Sequence, residues 1–243
     1  PLEGFADDVE LSVQVAAAEA LGWVSGSADA IRRWLADTPR GSSAVLRAAL
    51  IRSIGMQGST RDLGALADAL DEPAPVGVAA GLALGHLGQR DTPALGPAVP
   101  RLVGRLDALD TAVVEAAAFA LRRIDAPAWP VEDVEEALRV ARTSRSPTAR
   151  AWLVTALWPH LESAQRDALF VDAMTGTSRQ VRVAVMDATG PDDMPGDVLQ
   201  AWLVDPDPWV RSATLRALGR AGDLKDLQPL ADDMENPWRA AAA

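Results

Sequence analysis

Residues 205–222 read Asp-Pro-Asp-Pro-Trp-Val-Arg-Ser-Ala-Thr-Leu-Arg-Ala-Leu-Gly-Arg-Ala-Gly. Asp207 suits a helix N-cap, because its carboxylate can accept from N–H groups that have no partner within the helix. Pro208 suits the first helical position, where its missing N–H costs nothing. Val210, Ala213, Ala217 and Leu218 follow at spacings of three and four, which puts them on one helix face. The segment predicts an amphipathic helix of three to four turns.

The same pattern occurs elsewhere in the chain. Aligned on the position of Leu218, copies have anchors at Leu21, Ile54, Leu84, Leu121, Leu157, Thr189 and Leu218, separated by 33, 30, 37, 36, 32 and 29 residues. One residue before the anchor stand Ala20, Ser53, Ala83, Ala120, Ala156, Ala188 and Ala217. Five before it stand Ala16, Ala49, Ala79, Ala116, Trp152, Ala184 and Ala213. Val13, Leu46, Val76, Val113, Ala149, Val181 and Val210 stand eight before it, and Glu10, Ser43, Pro73, Asp110, Ser146, Ser178 and Asp207 eleven before it. Ser and Asp dominate that last set as predicted N-caps. Gly22, Gly55, Gly85, Gly190 and Gly219 follow the anchor, where left-handed C-caps are expected.

A second, shorter helix is predicted in each copy. Its apolar rows are Ile31, Trp34 and Leu35; Leu63, Leu66 and Leu70; Leu95, Val99, Leu102 and Leu106; Val131, Val134 and Leu138; Leu169 and Ala173; Val198, Leu199, Trp202 and Leu203; and Leu224, Leu227 and Leu230. Strand alternation is nearly absent. The expected fold is all-α and built from about seven helix pairs, near 7–37, 42–71, 73–108, 110–143, 146–174, 178–204 and 207–233. A partial eighth starts at 236. One pair cannot bury its own apolar stripe, so the pairs must stack on their neighbours.

Asp205-Pro206-Asp207-Pro208-Trp209-Val210-Arg211, Ala213, Leu215, Ala217-Leu218-Gly219 and Gly222 resemble a HEAT repeat of the short, bacterial lyase-like type. The copy built on Val76, Ala79, Leu82, Ala83-Leu84-Gly85 and Gly88 resembles it too. The likeness spans roughly residues 7–239. Arg122 and Trp158 depart from it by replacing the glycine, and Thr189 departs at the anchor. The resemblance implies a single right-handed, armadillo-like α-solenoid over 1–243, with the second helices lining its concave face. It also implies a scaffold or adaptor role. Arg47, Arg150, Arg182 and Arg211 recur after acidic residues that end the preceding copy, such as Asp37 and Asp205, and related repeats hold an Asp–Arg ladder between layers there.

Composition narrows the function. The 243 residues are 49% hydrophobic and 23% charged, with a formal net charge of −11 and a mean hydropathy of +0.03. That is enough apolar material for a core, and no apolar run reaches the roughly 18–20 residues that span a bilayer. With no cysteine, disulfides and thiolate metal sites are excluded. The two histidines, His86 and His160, form no metal-binding pair, so neither a metal nor a cofactor is expected, and each is assigned to a helix end. There is no basic-then-apolar leader, and the expected compartment is the cytoplasm.

Net acidity disfavours nucleic acid. Asp68, Asp71, Glu132, Asp133, Glu135, Glu136, Asp167, Asp172, Asp226 and Asp232 on second helices predict an acidic groove suited to a basic or polar protein surface. Arg101 with Arg105, and Arg139 with Arg142, are expected to form its one basic island, a candidate partner contact.

Among the eight tryptophans, Trp34 and Trp202 are predicted core, and Trp209 and Trp238 staple-like packing at helix starts. Trp152 and Trp158 replace an alanine and a glycine of the repeat, so they predict either a local bend or an aromatic anchor for a partner. The expected function is a non-catalytic protein-interaction scaffold, bound along the concave face or end-on. The alternative is a bilin-lyase-like or DNA-glycosylase-like enzyme, the latter using Trp152, Trp158 and Asp167. Because Asn236-Pro237-Trp238-Arg239 restarts the pattern, the chain is also expected to be part of a longer repeat protein or to dock end-on against another chain.

Overall fold

The structure, a computed structural model, describes residues 2–90, 93–124, 129–176, 178–190 and 201–221. Among these, every regular element is helical and none is a strand. The helices are α1 (Leu11–Trp23), α2 (Ala28–Asp37), α3 (Ala44–Gln57), α4 (Leu63–Ala69), α5 (Ala74–Gly88) and α6 (Val99–Val103). They continue with α7 (Thr111–Arg123), α8 (Val131–Thr143), α9 (Pro147–Leu157), α10 (Ser163–Thr175), α11 (Arg179–Ala188) and α12 (Pro208–Ala221). Two compact units divide the chain, Pro1–Val140 and Ala141–Ala243.

The predicted caps form. Ser43 Oγ accepts from the Leu46 N–H at 3.3 Å, Ser146 Oγ from Ala149 at 3.0 Å and Ser178 Oγ from Val181 at 3.4 Å. Asp110 Oδ1 accepts from Ala112 and Asp207 Oδ1 from Trp209, both at 2.9 Å. Glu10 and Pro73 offer no such bond.

In the first unit α1 packs on α3, α3 on α5 and α5 on α7, while α2, α4 and α6 each pack against the helix that follows. In the second, α9 packs on α11, α11 on α12 and α10 on α11. The predicted stripe is the seam of these contacts. Leu46, Ala49, Ser53 and Ile54 are buried on α3, and Val76, Ala79, Ala83 and Leu84 on α5. Val113, Ala116, Ala120 and Leu121 are buried on α7, as are Val210, Ala213, Ala217 and Leu218 on α12. Thr189, the polar anchor, is buried too, and its hydroxyl donates to the Val185 carbonyl at 2.6 Å.

The glycines after the anchor are not left-handed caps. Gly22, Gly55, Gly85 and Gly219 lie inside their helices, and the positive-φ glycines among the described residues are Gly26 (81°) and Gly41 (89°). Close approach explains Gly22, Gly55 and Gly85 instead, whereas a Cβ on Gly219 would meet nothing within 4 Å. A Cβ on Gly55 would stand 2.6 Å from Ala83 Cα, one on Gly22 2.9 Å from Ser53 Oγ, and one on Gly85 2.5 Å from the Phe119 ring. The residue after one anchor therefore faces the residue at or just before the −1 position of the next copy. Side chains from the following copy satisfy the helix ends: Gln57 Nε2 donates to the Gly22 carbonyl at 2.7 Å, and Arg90 to those of Gly55 and Met56 at 2.5 and 2.7 Å. Arg220 does the same for Met186 at 2.6 Å.

Second-helix rows hold with one correction. Ile31, Trp34, Leu66, Leu70, Leu95, Val99, Leu102, Leu106, Leu169, Ala173 and Trp202 are buried, whereas Val131 is 71% exposed. Val134, Ala137, Val140 and Ala141 form the buried row of α8, and Trp129, buried just ahead of the helix, fills the core at its start. Trp209 is 51% exposed. Val198, Leu199, Leu224, Asp226, Leu227, Leu230, Asp232, Trp238 and the restart from Asn236 lie outside the described residues.

Candidate functional site

The inter-copy loops carry a charge ladder in which two of the four recurring arginines, Arg47 and Arg182, pair with a carboxylate, each in the following loop and not the preceding one. Arg47 does not pair with Asp37. Its guanidinium grips Glu72, downstream, through Nε–Oε2 at 2.8 Å and Nη2–Oε1 at 2.5 Å, and it also donates to the Thr38 carbonyl behind it. Arg47 and Glu72 are both buried. Arg182 repeats the arrangement, donating to the Gly176 carbonyl at 3.0 Å and lying 3.3 Å from Asp205 Oδ2 in the next loop. Arg150 reaches the Ala141 carbonyl at 3.0 Å, and Arg211 the Asp205 carbonyl at 2.7 Å. Each arginine anchors the loop that precedes its own helix, because a five-donor fork can satisfy a carbonyl and a carboxylate together.

A second ladder links second helices. Arg32 of α2 holds Asp62 ahead of α4 through two bonds of 2.7 and 2.8 Å. Arg101 of α6 donates to Asp68 of α4 at 2.7 Å, and Arg139 of α8 to Asp107 and Glu136, both at 2.5 Å. In the second unit Arg142 donates to Asp172 of α10 at 2.6 Å. Three of the four arginines expected as a basic island are therefore compensated by carboxylates. Arg105, the fourth, is half-buried, and its Nε is enclosed without an acceptor. The same pairs meet Asp68, Glu136 and Asp172, three of the carboxylates expected along the second helices.

Trp158 is 5% exposed and packs edge-on against Phe170, ring centroids 5.5 Å apart, with the Arg166 guanidinium over its face at 5.8 Å. It belongs to the core and presents no surface to a partner. Trp152 is half-buried on α9, and Asp167 is exposed. His86, exposed at the end of α5, meets Phe119 edge-on at 5.8 Å. Among the described residues no three His, Asp or Glu side chains converge as metal ligands, and no helix is long and apolar enough to cross a membrane.

A groove of about 380 Å³ opens between α2 and α4 over α3. Leu35, Ala36, Ile51, Ile54 and Ala65 give it apolar surface, and Arg32, Arg40, Arg47, Asp62, Asp68 and Glu72 surround them. Burial alone would raise the Asp62 carboxyl. Hydrogen bonds from Arg32 and from the Ser59 N–H, and the charges of Arg32 and Arg61, reverse this and leave it below its ordinary value. The bond to Asp62 holds Arg32 firmly charged. Arg40 is the loosest charge there, exposed and 3.6 Å from both Asp68 and Glu72. The groove can therefore take an apolar side chain between paired charges, with the exposed Arg40 at its rim. Sequence reading missed it, because Arg32 and Arg40 stand outside the repeating positions. No protein-family model matches the chain, and no curated protein matches it.

Proposed function

We propose that this chain is a non-catalytic protein-interaction scaffold or adaptor of the HEAT type. Its architecture is a right-handed solenoid of about seven antiparallel helix pairs, and its partner binds along the second-helix face or end-on. The groove between α2 and α4 carries this reading: an apolar floor, a stiff rim of paired charges and one loosely held arginine suit an extended polar segment of another protein that inserts an apolar side chain. The regular stacking of first helices adds to it, since such arrays hold a long binding face rigid.

Filling the groove tests the proposal. Ala36 and Ala65 line it and are exposed, so Ala36→Trp with Ala65→Trp blocks it without entering the core. The wild-type chain should retain a protein partner through low- and high-salt washes, because the rim charges are already paired, and the filled variant should lose it. Equal capture by both forms would place the binding face elsewhere. Loss of capture at high salt alone would make the contact electrostatic and remove the groove's part in it.

A further inference from the structure

The carboxylates that line the groove between α2 and α4 are each already served by an arginine. Asp62 accepts from Arg32 at 2.7 and 2.8 Å, and Glu72 from Arg47 at 2.8 and 2.5 Å. Asp68 accepts from Arg101 at 2.7 Å, and Arg101 lies 3.8 Å from Asp71 as well. Arg32 and Arg47 commit their guanidinium forks to these bonds.

Arg40 differs from both. It stands in the turn that follows α2, its side chain is 62% exposed, and it lies 3.6 Å from Asp68 and from Glu72. That separation is beyond hydrogen-bond length. Arg40 therefore lines the groove with N–H donors that have no hydrogen-bond acceptor among the described residues. A guanidinium can meet an incoming carboxylate with two parallel N–H bonds. An incoming Lys or Arg would instead face carboxylates that already hold arginines, with Arg40 beside them to repel it.

Spacing sets where the acid must fall. Asp68 follows Ala65 by three residues on α4, so their side chains are neighbours about 5–6 Å apart on one helix face. That is a little under two residues of extended chain at about 3.3 Å each. The Arg40 guanidinium, next to Asp68, is thus about two residues away from the apolar seat at Ala65.

We propose that the groove takes an acidic segment of another protein. An apolar side chain sits between Ala36 and Ala65 over Ile51 and Ile54, and an Asp or Glu about two residues from it binds Arg40. This rests on the reading of the groove as a protein-binding seat and names the charge of what it binds. The net charge of −11 opposes such a segment at long range, so Arg40 acts at contact and not on the speed of encounter. Because Arg40 is exposed, its bond sorts partners and adds little affinity, while the apolar seat holds through salt.

Selection from a random-peptide phage library on the full chain tests it, after depletion on the Ala36→Trp, Ala65→Trp variant to remove peptides that bind elsewhere. Recovered peptides should share an apolar residue with an Asp or Glu within about three positions of it. In synthetic copies, changing that acid to its amide should weaken binding about two- to fivefold at low salt. Arg40→Gln should weaken the parent peptide equally and abolish the effect of the amide. Peptides that carry the apolar residue without the acid, or with Lys or Arg in its place, would overturn the inference and leave the groove as a seat. So would an amide change felt equally by wild type and Arg40→Gln. Recovery of no groove-dependent peptide would sink both the inference and the reading beneath it.

Discussion

Ala83 Cα lies 2.6 Å from where a side chain on Gly55 would begin, so α3 and α5 touch nearly backbone to backbone there. Gly55→Ala should cost about 1–3 kcal/mol, since a methyl group can enter only by moving a helix. Gly64 on α4 makes the control: it is exposed with nothing within 4 Å of its Cβ, and Gly64→Ala should gain about 0.5–1 kcal/mol in a helix. Urea unfolding reads both, and equal effects would refute the close-approach account of the repeat glycines. Two aspartates titrate in opposite senses. Burial, and then the charge of Glu132, push the Asp133 carboxyl above its ordinary value, and its Oδ2 is enclosed without a donor. Its penalty is full above that raised pKa and disappears below the unfolded value near 3.8. Asp133→Asn should therefore stabilise the chain near neutral pH and change nothing in acid. For Asp62, whose pKa is depressed, the contribution is present above the unfolded value and lost as pH falls through the folded one. Asp62→Asn should cost about 1–3 kcal/mol near neutral pH, with the difference closing in acid. Stability measured against pH for the two variants should show these opposite trends.

Between elements, similar pairs carry different weight. Arg47 and Glu72 are both buried and bound through two hydrogen bonds, so Arg47→Met leaves Glu72 with the exposed Arg40 at 3.6 Å in place of a buried, hydrogen-bonded partner and should cost about 3 kcal/mol. Arg101 and Asp68 are each about half exposed, and Arg101→Met should cost about 0–1 kcal/mol. Chemical denaturation of the two variants separates them; similar losses would mean that loop and helix ladders bear equal load. This contrast also marks how far the sequence could be read. The all-helical fold, the seams and the Ser and Asp N-caps were legible because periods of three and four, and an Asp or Ser eleven residues before the anchor, follow from local geometry alone. The helix C-termini were not. Their carbonyls are met by Gln57, Arg90 and Arg220, which stand three, six and two residues past their anchors and so share no spacing. Ion-pair partners were hidden for a related reason: Arg47 lies between Asp37 and Glu72, and only the folded path of the loops chooses Glu72. Trp158 looked like the source of a local bend or an anchor for a partner, yet a 3₁₀ turn begins at that residue and the ring enters the core beside Phe170.

At the scale of the whole chain, helices in each unit touch their sequence neighbours along the array, so stability should be a sum of local layers with no single all-or-none core. The tryptophans report on the parts separately: Trp34 and Trp129 are buried in the first unit, Trp158 and Trp202 in the second. Leu153 is fully buried on α9, and Leu153→Ala should remove about 2–5 kcal/mol from the layers that include it. In a nearest-neighbour array that loss falls on α9 and α11 and dies away within a layer or two. Hydrogen exchange followed by mass spectrometry should therefore show faster exchange across α9 and α11, with the amides of α3 and α5 as protected as in wild type. Equal loss of protection in α3 and α5 would show that the chain unfolds as one cooperative body, and the layered account of its stability would be wrong.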